Sequence, residues 1–500
     1  MSITGPGSIT AASVTAQNNM MTQLNTLGQE LASGQAAQTY SDLQSQAGLT
    51  LALNAQLSAI GGYSNTAATV GTTLSVAQSV LAQLGGSSTA VQQAINGGGT
   101  FTLNNNGQTN TQAAAATQLD NILSLLNTQV GNNYIFSGSG PNQPSVVSAA
   151  EILNGNGAQA GLTQVISERE QADLGVSGLG RLSVGTIGST VTLDQDGSPF
   201  GFQLTGVNSS LTGATAAGPS GSPPSISVAL ASNPNAGDSI KFQLTLPDGS
   251  AQTISLQATT NSPPGANQFT IGALPSDTAA NLQTALTAAI ANLSQTALPA
   301  ASAIAAANNF FGANPPQRVN GSPPDTSSGL VNGTAGNTVF WYTGENGSTP
   351  ARQTATAQVG PAMTIDYGMR ANEQAIANLV ANVAVLAATT YSASDPNAQA
   401  NYQALSQKVA ANLDGQPGTQ RISGIEADLA NAQTTVSNAG TLNTQTQTTL
   451  QNMMQGIDGV NQNQIGEEIL TLQNSLSASM SVTARLAQLS LVNYLAPVTG

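Results

Sequence analysis

Three groups of side chains in this sequence have types and spacings that could support chemistry. Asp194-Gln195-Asp196-Gly197 has the opening of a calcium-binding loop, but the later acidic ligands that such a loop needs are missing. Glu467 and Glu468 could act as a carboxylate pair, yet adjacent residues do not share a helical face. Acids near a helix start are better explained by the helix dipole. The patterns therefore favour a hairpin turn and a stabilised helix terminus.

The third group is Trp341 and Tyr342, which could line a ligand pocket because only 4% of the residues are aromatic. Core packing is the favoured interpretation. The chain contains neither cysteine nor histidine, which excludes thiolate nucleophiles, histidine-dependent triads and the usual zinc sites. We therefore expect no catalytic residue, no cofactor, no metal site and no enzymatic activity.

The charge pattern bears on partners and location. The net charge is -14, with 9 basic and 23 acidic residues, and the basic residues are scattered, so neither nucleic acid nor a membrane surface is an expected partner. Met1 to Ala16 lacks the basic and apolar regions of a cleaved signal peptide. No stretch approaches the roughly 18 apolar residues of a membrane span. If the protein is extracellular, we expect it to leave through a dedicated exporter.

The two ends of the chain have helical spacing. In the first segment, Ile9 to Leu31, apolar residues recur at steps of four and three, and Gly34 is a plausible stop. A second helix is predicted to begin at the cap Ser41-Asp42 and to end at Gly85-Gly86. Its near-heptad positions are Leu53, Leu57, Ile60, Ala67, Val70, Leu74, Ala77, Leu81 and Leu84. A third is predicted over Gln112 to Val130.

From about Leu182 to Val359 the pattern changes to alternating apolar residues and Pro-rich turns, which predicts a mostly β region. Two strands are expected to form a hairpin around Asp248-Gly249. One short helix is predicted over Thr278 to Leu293, and a late strand over Thr338 to Tyr342.

Helical spacing returns after Tyr367. A long helix is predicted from Ile422, with a break at Asp458-Gly459 before the last helix. The apolar positions of that last helix are Ile465, Ile469, Leu472, Leu476, Thr483, Leu486 and Leu489. Each terminal helix has a narrow apolar stripe that cannot be buried alone, so the helices from both ends are expected to pair.

The predicted fold class is α+β, multidomain and elongated, with N- and C-terminal helices paired as a coiled-coil-like bundle and a mostly β domain inserted between them. The predicted segments are an N-terminal assembly helix (1–40), the first half of a helical core with a short hairpin (41–180), the inserted β domain with one short helix (181–360), the second half of the helical core (361–457) and a C-terminal assembly helix (458–500).

The terminal motifs resemble those of the bacterial flagellin superfamily. The opening runs from Gln17-Asn18-Asn19 to Ser33-Gly34, followed by Ser41-Asp42. The run Asn127 to Gly138 and the ending Ile457 to Leu495 are more similar to hook-filament junction proteins of that family than to its filament flagellins. In this family, helices from both termini form the assembly core around a variable inserted domain.

The resemblance implies an extracellular structural subunit that links the flagellar hook to the filament, with bulk flagellin of the filament as the alternative. It also implies unfolded export through the flagellar type III apparatus, with an export chaperone. The implied partners are copies of the chain itself and other flagellar axial proteins, such as a hook-associated protein and flagellin.

A non-flagellar fibrous surface protein, such as a phage tail component, is a further alternative, because coiled-coil periodicity alone names no function. The residues expected to form the assembly interface share one narrow seam. They are Leu24, Leu27, Leu31, Leu472, Leu476, Leu486 and Leu489.

Overall fold

A computed structural model describes residues 6–35, 46–97, 101–415 and 418–494, with side chains described except at 6–10, 458 and 486–494. This part of the chain is a mixed α+β structure with eleven α-helices and several small sheets. It divides into two compact units. The smaller unit comprises 1–69, 358–364 and 436–500, and the larger unit comprises 70–357 and 365–435. The division into five segments stays a prediction.

The helices and strands follow each other in this order. The helices are α1 (Pro6–Ser33), α2 (Ala47–Asn96), α3 (Asn110–Leu126), α4 (Ala149–Asn154), α5 (Leu162–Leu174), α6 (Pro275–Gln295), α7 (Ala297–Gly312), α8 (Gln374–Ala388), α9 (Ala398–Leu413), α10 (Ile422–Asp458) and α11 (Gln462–Tyr494). The strands are β1 (Gln129–Val130), β2 (Asn133–Tyr134), β3 (Leu182–Ile187), β4 (Thr190–Gln195), β5 (Gln203–Ser209), β6 (Ala214–Ser220), β7 (Ser225–Leu230), β8 (Ser239–Thr245), β9 (Ala251–Thr259), β10 (Gln268–Thr270), β11 (Gln317–Val319), β12 (Leu330–Asn332), β13 (Thr356–Gly360) and β14 (Met363–Asp366).

The glycines that were predicted to end helices do so at Gly34 but not at Gly85-Gly86. Helix α1 ends before Gly34, which has φ +74° and donates its N–H to Glu30 O at 2.8 Å, as a left-handed helix cap does. The predicted end of α2 at Gly85-Gly86 is wrong, because the helix continues to Asn96. Val91 is buried beyond the two glycines, so packing outweighs their low helix propensity. The Ser41-Asp42 cap lies outside the described residues.

The larger unit holds two four-stranded sheets, ordered β3-β4-β7-β6 and β10-β9-β8-β5. Both contribute to one apolar core with α6, whose Leu282, Leu286 and Ile290 are fully buried. The predicted hairpin at Asp248-Gly249 is confirmed, since β8 and β9 pair in antiparallel register from Ser239–Gln257 to Thr245–Ala251.

The predictions were less complete for the helices and strands that follow. Helix α7 was not predicted, because its Ala-rich sequence is apolar on most sides and most of its residues are buried. The predicted strand over Thr338 to Tyr342 is wrong: the described structure has only isolated bridges there, from Thr338 to Ala160 and from Tyr342 to Val146. Helix α8 is buried along nearly its whole length.

Candidate assembly interface

Helix α1 has one narrow face that is shielded from solvent. The partly buried positions from residue 13 to residue 27 recur at alternating steps of four and three, and every residue between them is exposed. They are Ser13, Gln17, Met20, Leu24 and Leu27. This is the spacing of a coiled-coil seam.

Helix α11 carries a matching stripe. Ile465 is buried, and partly buried residues follow it at alternating steps of four and three. These residues are Ile469, Leu472, Leu476, Ser479 and Thr483. Gly466 apart, the residues between them are exposed. The apolar positions of this stripe lie in its first half, and hydroxyl side chains continue it.

Polar contacts join the two stripes and fix their direction. Ser13 Oγ lies 2.6 Å from Thr483 Oγ1, and Gln17 Nε2 donates to Ser479 Oγ at 3.3 Å. A step of four residues forward on α1 therefore corresponds to four backward on α11, so the helices are antiparallel. At the other end of α1, Val460 N–H donates to the Gly34 carbonyl at 3.3 Å.

This register brings apolar residues of the two stripes to the same level. The pairs are Met20 with Leu476, Leu24 with Leu472, and Leu27 with Ile469. Side chains three or four residues apart are neighbours on the surface of a helix. The level pairs therefore form a continuous apolar strip between α1 and α11.

Four of the seven predicted interface residues lie on this strip: Leu24, Leu27, Leu472 and Leu476. Leu31 does not follow the pattern, since it is 37% exposed while its neighbour Glu30 is partly buried. The side chains of Leu486 and Leu489 lie outside the described residues. Whether these residues contact neighbouring subunits stays a prediction.

A second helical contact lies in the smaller unit. Leu53 and Ile60 of α2 are buried with Leu450 of α10. Closer to the start of α10, Asn443 donates from Nδ2 to the Val359 carbonyl at 2.8 Å, and this bond is buried. The amide thereby satisfies a backbone group of β13, which an apolar side chain at this buried position could not do.

The smaller unit also exposes much of its apolar surface. Of the fifteen large apolar side chains exposed in the described part of the chain, ten lie in this unit, which holds fewer than a third of the residues. They are Val14, Met21, Leu31, Leu49, Leu51, Leu442, Met453, Leu470, Met480 and Val482. Exposed apolar side chains gathered in one region are typical of a surface that binds other proteins.

The acidic pair at the start of the possible calcium loop is already occupied. Asp194 accepts from Ser225 Oγ at 2.5 Å, and Asp196 accepts from Arg181 Nη1 at 3.1 Å and from Ser198 N–H at 2.9 Å. The predicted hairpin turn here is wrong, because β4 and β5 belong to different sheets. Asp196 instead stabilises the connection between those sheets.

The other two groups with possible chemistry lie in ordinary surroundings. Trp341 is 4% exposed and donates from Nε1 to the Phe311 carbonyl at 3.0 Å. Its ring packs edge-on against the ring of Phe311. These observations confirm the interpretation of Trp341 as a core residue. Tyr342 is equally buried. Glu467 and Glu468 are both exposed on α11.

A charged network that the sequence analysis missed is centred on Asp173 of α5. This side chain is fully buried and accepts from Arg169 Nε and from Gly201 N–H, each at 2.8 Å. Arg181 donates to the Ala172 carbonyl at 2.6 Å. The network therefore ties α5 to the loop before β5 through bonds that leave little of the carboxylate unsatisfied.

One turn earlier on α5, Glu170 faces a cavity of about 320 Å³ that Tyr391 and Asn401 also line. Burial and, to a smaller extent, the nearby charge of Asp173 together raise the pKa of the Glu170 carboxyl to about 7. The group therefore changes charge near neutral pH, while most carboxylates do so below pH 5.

We expect Glu170→Gln to stabilise the protein at pH 8 and to change its stability little at pH 4.5. The folded state holds this proton up to about pH 7, whereas the unfolded chain loses it near pH 4.5, so wild-type stability falls between these values. Since the Glu170 side chain keeps some exposure, we expect the substitution to raise the free energy of unfolding at pH 8 by about 1–2 kcal/mol.

Urea unfolding at both pH values, followed by Trp341 fluorescence, measures this difference. Asp120→Asn, at an exposed position of α3, is the matched control and should change stability equally little at both pH values. A Glu170→Gln effect that is the same at pH 4.5 and pH 8 would contradict the titration of Glu170.

The described residues also bear on metal binding and on membrane insertion. No group of three or more acidic residues in the described ranges is placed to hold a metal ion. None of the described helices has the length and apolar character required to span a bilayer.

The sequence matches no protein-family model and no curated protein. The resemblance to flagellins therefore rests on the terminal motifs themselves.

Proposed function

We propose that this chain is a structural subunit of the bacterial flagellum and that it links the hook to the filament. The observation that carries the proposal is the antiparallel contact of α1 with α11 along two matched stripes. Helices from opposite ends of a 500-residue chain meet in a unit that holds ten of the fifteen exposed large apolar side chains of the described residues. A subunit that buries such a surface against its neighbours fits this arrangement.

The proposal includes a finer description of the fold. The terminal helices pair as a coiled-coil-like bundle, and the mostly β region is inserted between the two halves of the helical core. The alternating steps of four and three on both helices support the coiled-coil assignment. The composition of the smaller unit, which takes its helices from both ends of the chain, supports the insertion.

Location and partners follow from the same proposal. The protein is exported without a cleaved signal peptide through the flagellar type III apparatus, after release from an export chaperone. Its neighbours in the flagellum are other copies of itself, a hook-associated protein and flagellin. Exposed side chains such as Leu470, Met480 and Val482 become buried when these neighbours pack.

Quantitative mass spectrometry of sheared, purified flagella tests the proposal by counting this chain against hook protein. A junction protein is expected at far fewer copies than hook protein. An excess over hook protein would instead identify a filament flagellin, and absence from flagella would exclude a flagellar role.

A further inference from the structure

The second sheet of the larger unit has an edge that is only partly covered. Strand β9 pairs with β8 along its length, from Gln257 to Ala251. On its other side, β10 pairs only with Gln257 to Thr259. The stretch from Ala251 to Leu256 is therefore a sheet edge of about six residues, or roughly 20 Å.

The direction of the free backbone groups follows from the bonds at the end of the strand. Ala258 N–H donates to Asp238 O on the β8 side, whereas Gln257 N–H donates to Asn267 O on the opposite side. Backbone groups alternate in direction along a strand, so those of Ala251, Thr253 and Ser255 point away from β8. No hydrogen bond joins these outward groups to another described residue.

The edges formed by β3, β5 and β6 are protected. Strand β6 contains Pro219 and a register shift, and β5 has a register shift beside Gly206. On β3, the Val184 carbonyl accepts a hydrogen bond from Gln283 of α6. Prolines, bulges and covering elements are the means by which proteins block unwanted strand pairing. The β9 edge between Ala251 and Ser255 has none of them.

The surroundings of this edge favour a particular occupant. The edge borders a groove of about 780 Å³ whose described lining residues are all uncharged. Helix α6 contributes an exposed line of small or neutral residues, Thr284, Ala288 and Asn292. A protein with a net charge of -14 repels its own copies over most of its surface, but two copies of this groove bring no charges together.

We propose that the β9 edge pairs with the β9 edge of a second copy of this chain, in antiparallel register about a two-fold axis at Thr253. Ala251 of each copy then lies opposite Ser255 of the other. The outward N–H groups of one copy donate to the outward C=O groups of the other. The same patch serves both copies, as a two-fold interface requires. Because the axis is perpendicular to the sheet, both α6 helices lie on the same face.

The absence of cysteine allows a direct test on the full-length protein. Thr253→Cys places the new side chain at the two-fold axis, where the two Cβ atoms are about 5 Å apart. Gln243→Cys is the matched control, since Gln243 lies opposite Thr253 on β8 and is exposed on the same face. In the proposed dimer, the distance between Gln243 of one copy and Gln243 of the other is roughly 14 Å, or three strand spacings.

We expect a short bismaleimide linker to produce covalent dimers of Thr253→Cys at least about tenfold more than of Gln243→Cys, because only the first distance is within reach. Equal yields at both positions, or no dimer at Thr253→Cys, would overturn the proposal. An adduct with a different protein would show that another partner occupies the groove, which also overturns it.

A charge test separates this contact from assembly through the terminal helices. Thr253→Lys and Thr253→Glu each place like charges opposite one another and are expected to lose the dimer, whereas a mixture of the two variants should restore it. In a Leu476→Asp background, cross-linking of Thr253→Cys should persist. If it disappears with Leu476→Asp, the contact depends on the terminal helices and the edge pairing is wrong.

Discussion

For the proposed flagellar subunit, replacing Leu476 by aspartate is expected to abolish incorporation into flagella while leaving export intact. Leu476 lies level with Met20 in the contact between α1 and α11, and it is partly buried there. A carboxylate at this position loses water without gaining a partner, at a cost of roughly 3 kcal/mol. That cost corresponds to about a hundredfold shift of the equilibrium away from paired α1 and α11, and the proposed assembly requires this pairing.

Immunoblots of sheared flagella and of the culture medium measure incorporation and export separately. Gln473→Asp is the matched control, because Gln473 is exposed on the same helix, and it is expected to incorporate normally. Normal incorporation of Leu476→Asp would show that this stripe is not the assembly interface. Loss of both variants would indicate that any added charge on α11 is harmful.

Replacing Asp173 by alanine is expected to lower the free energy of unfolding by about 3–5 kcal/mol, the usual cost of removing one partner of a buried ion pair. Arg169 would keep its positive charge in a site where its side chain is only 13% exposed. The N–H of Gly201 would also lose its acceptor. Urea unfolding followed by the fluorescence of Trp341, the chain's single tryptophan, measures the loss.

Asp173→Asn provides the comparison for this prediction. Its amide oxygen still accepts one hydrogen bond, so we expect a loss of about 1–2 kcal/mol, in line with a weakened rather than a missing bond. Equal stability of Asp173→Ala and wild type would show that the network does not hold α5 to the loop before β5.

The terminal helices were predictable because spacing alone identifies a narrow apolar stripe. Leu24, Leu27, Leu472 and Leu476 all lie where their spacing places them. The deviation at Leu31 was not predictable, since Glu30 and Leu31 lie on opposite flanks of the same stripe. Which flank is shielded depends on the partner helix, and sequence spacing does not give that.

The missed features share a different cause. Helix α7 is apolar on most sides, so it shows no periodicity, and α2 continues past Gly85-Gly86 because of packing that propensity does not include. The network around Asp173 did leave a signal. The run Glu168 to Asp173 contains four charged residues in a chain where only 6% are charged, and such a concentration indicates a structural role for charge.

The described ion pairs all lie in the larger unit. They join Arg169 to Asp173, Arg181 to Asp196, Arg318 to Glu168, Arg352 to Glu373, Arg370 to Glu345 and Lys408 to Asp248. Their basic members are mostly shielded from solvent, so dissolved salt screens these pairs only weakly. The contact between α1 and α11 is apolar and hydroxyl-lined, and excluded salts such as sulfate strengthen apolar contacts. Added sulfate is therefore expected to strengthen the contact between α1 and α11 without loosening the larger unit.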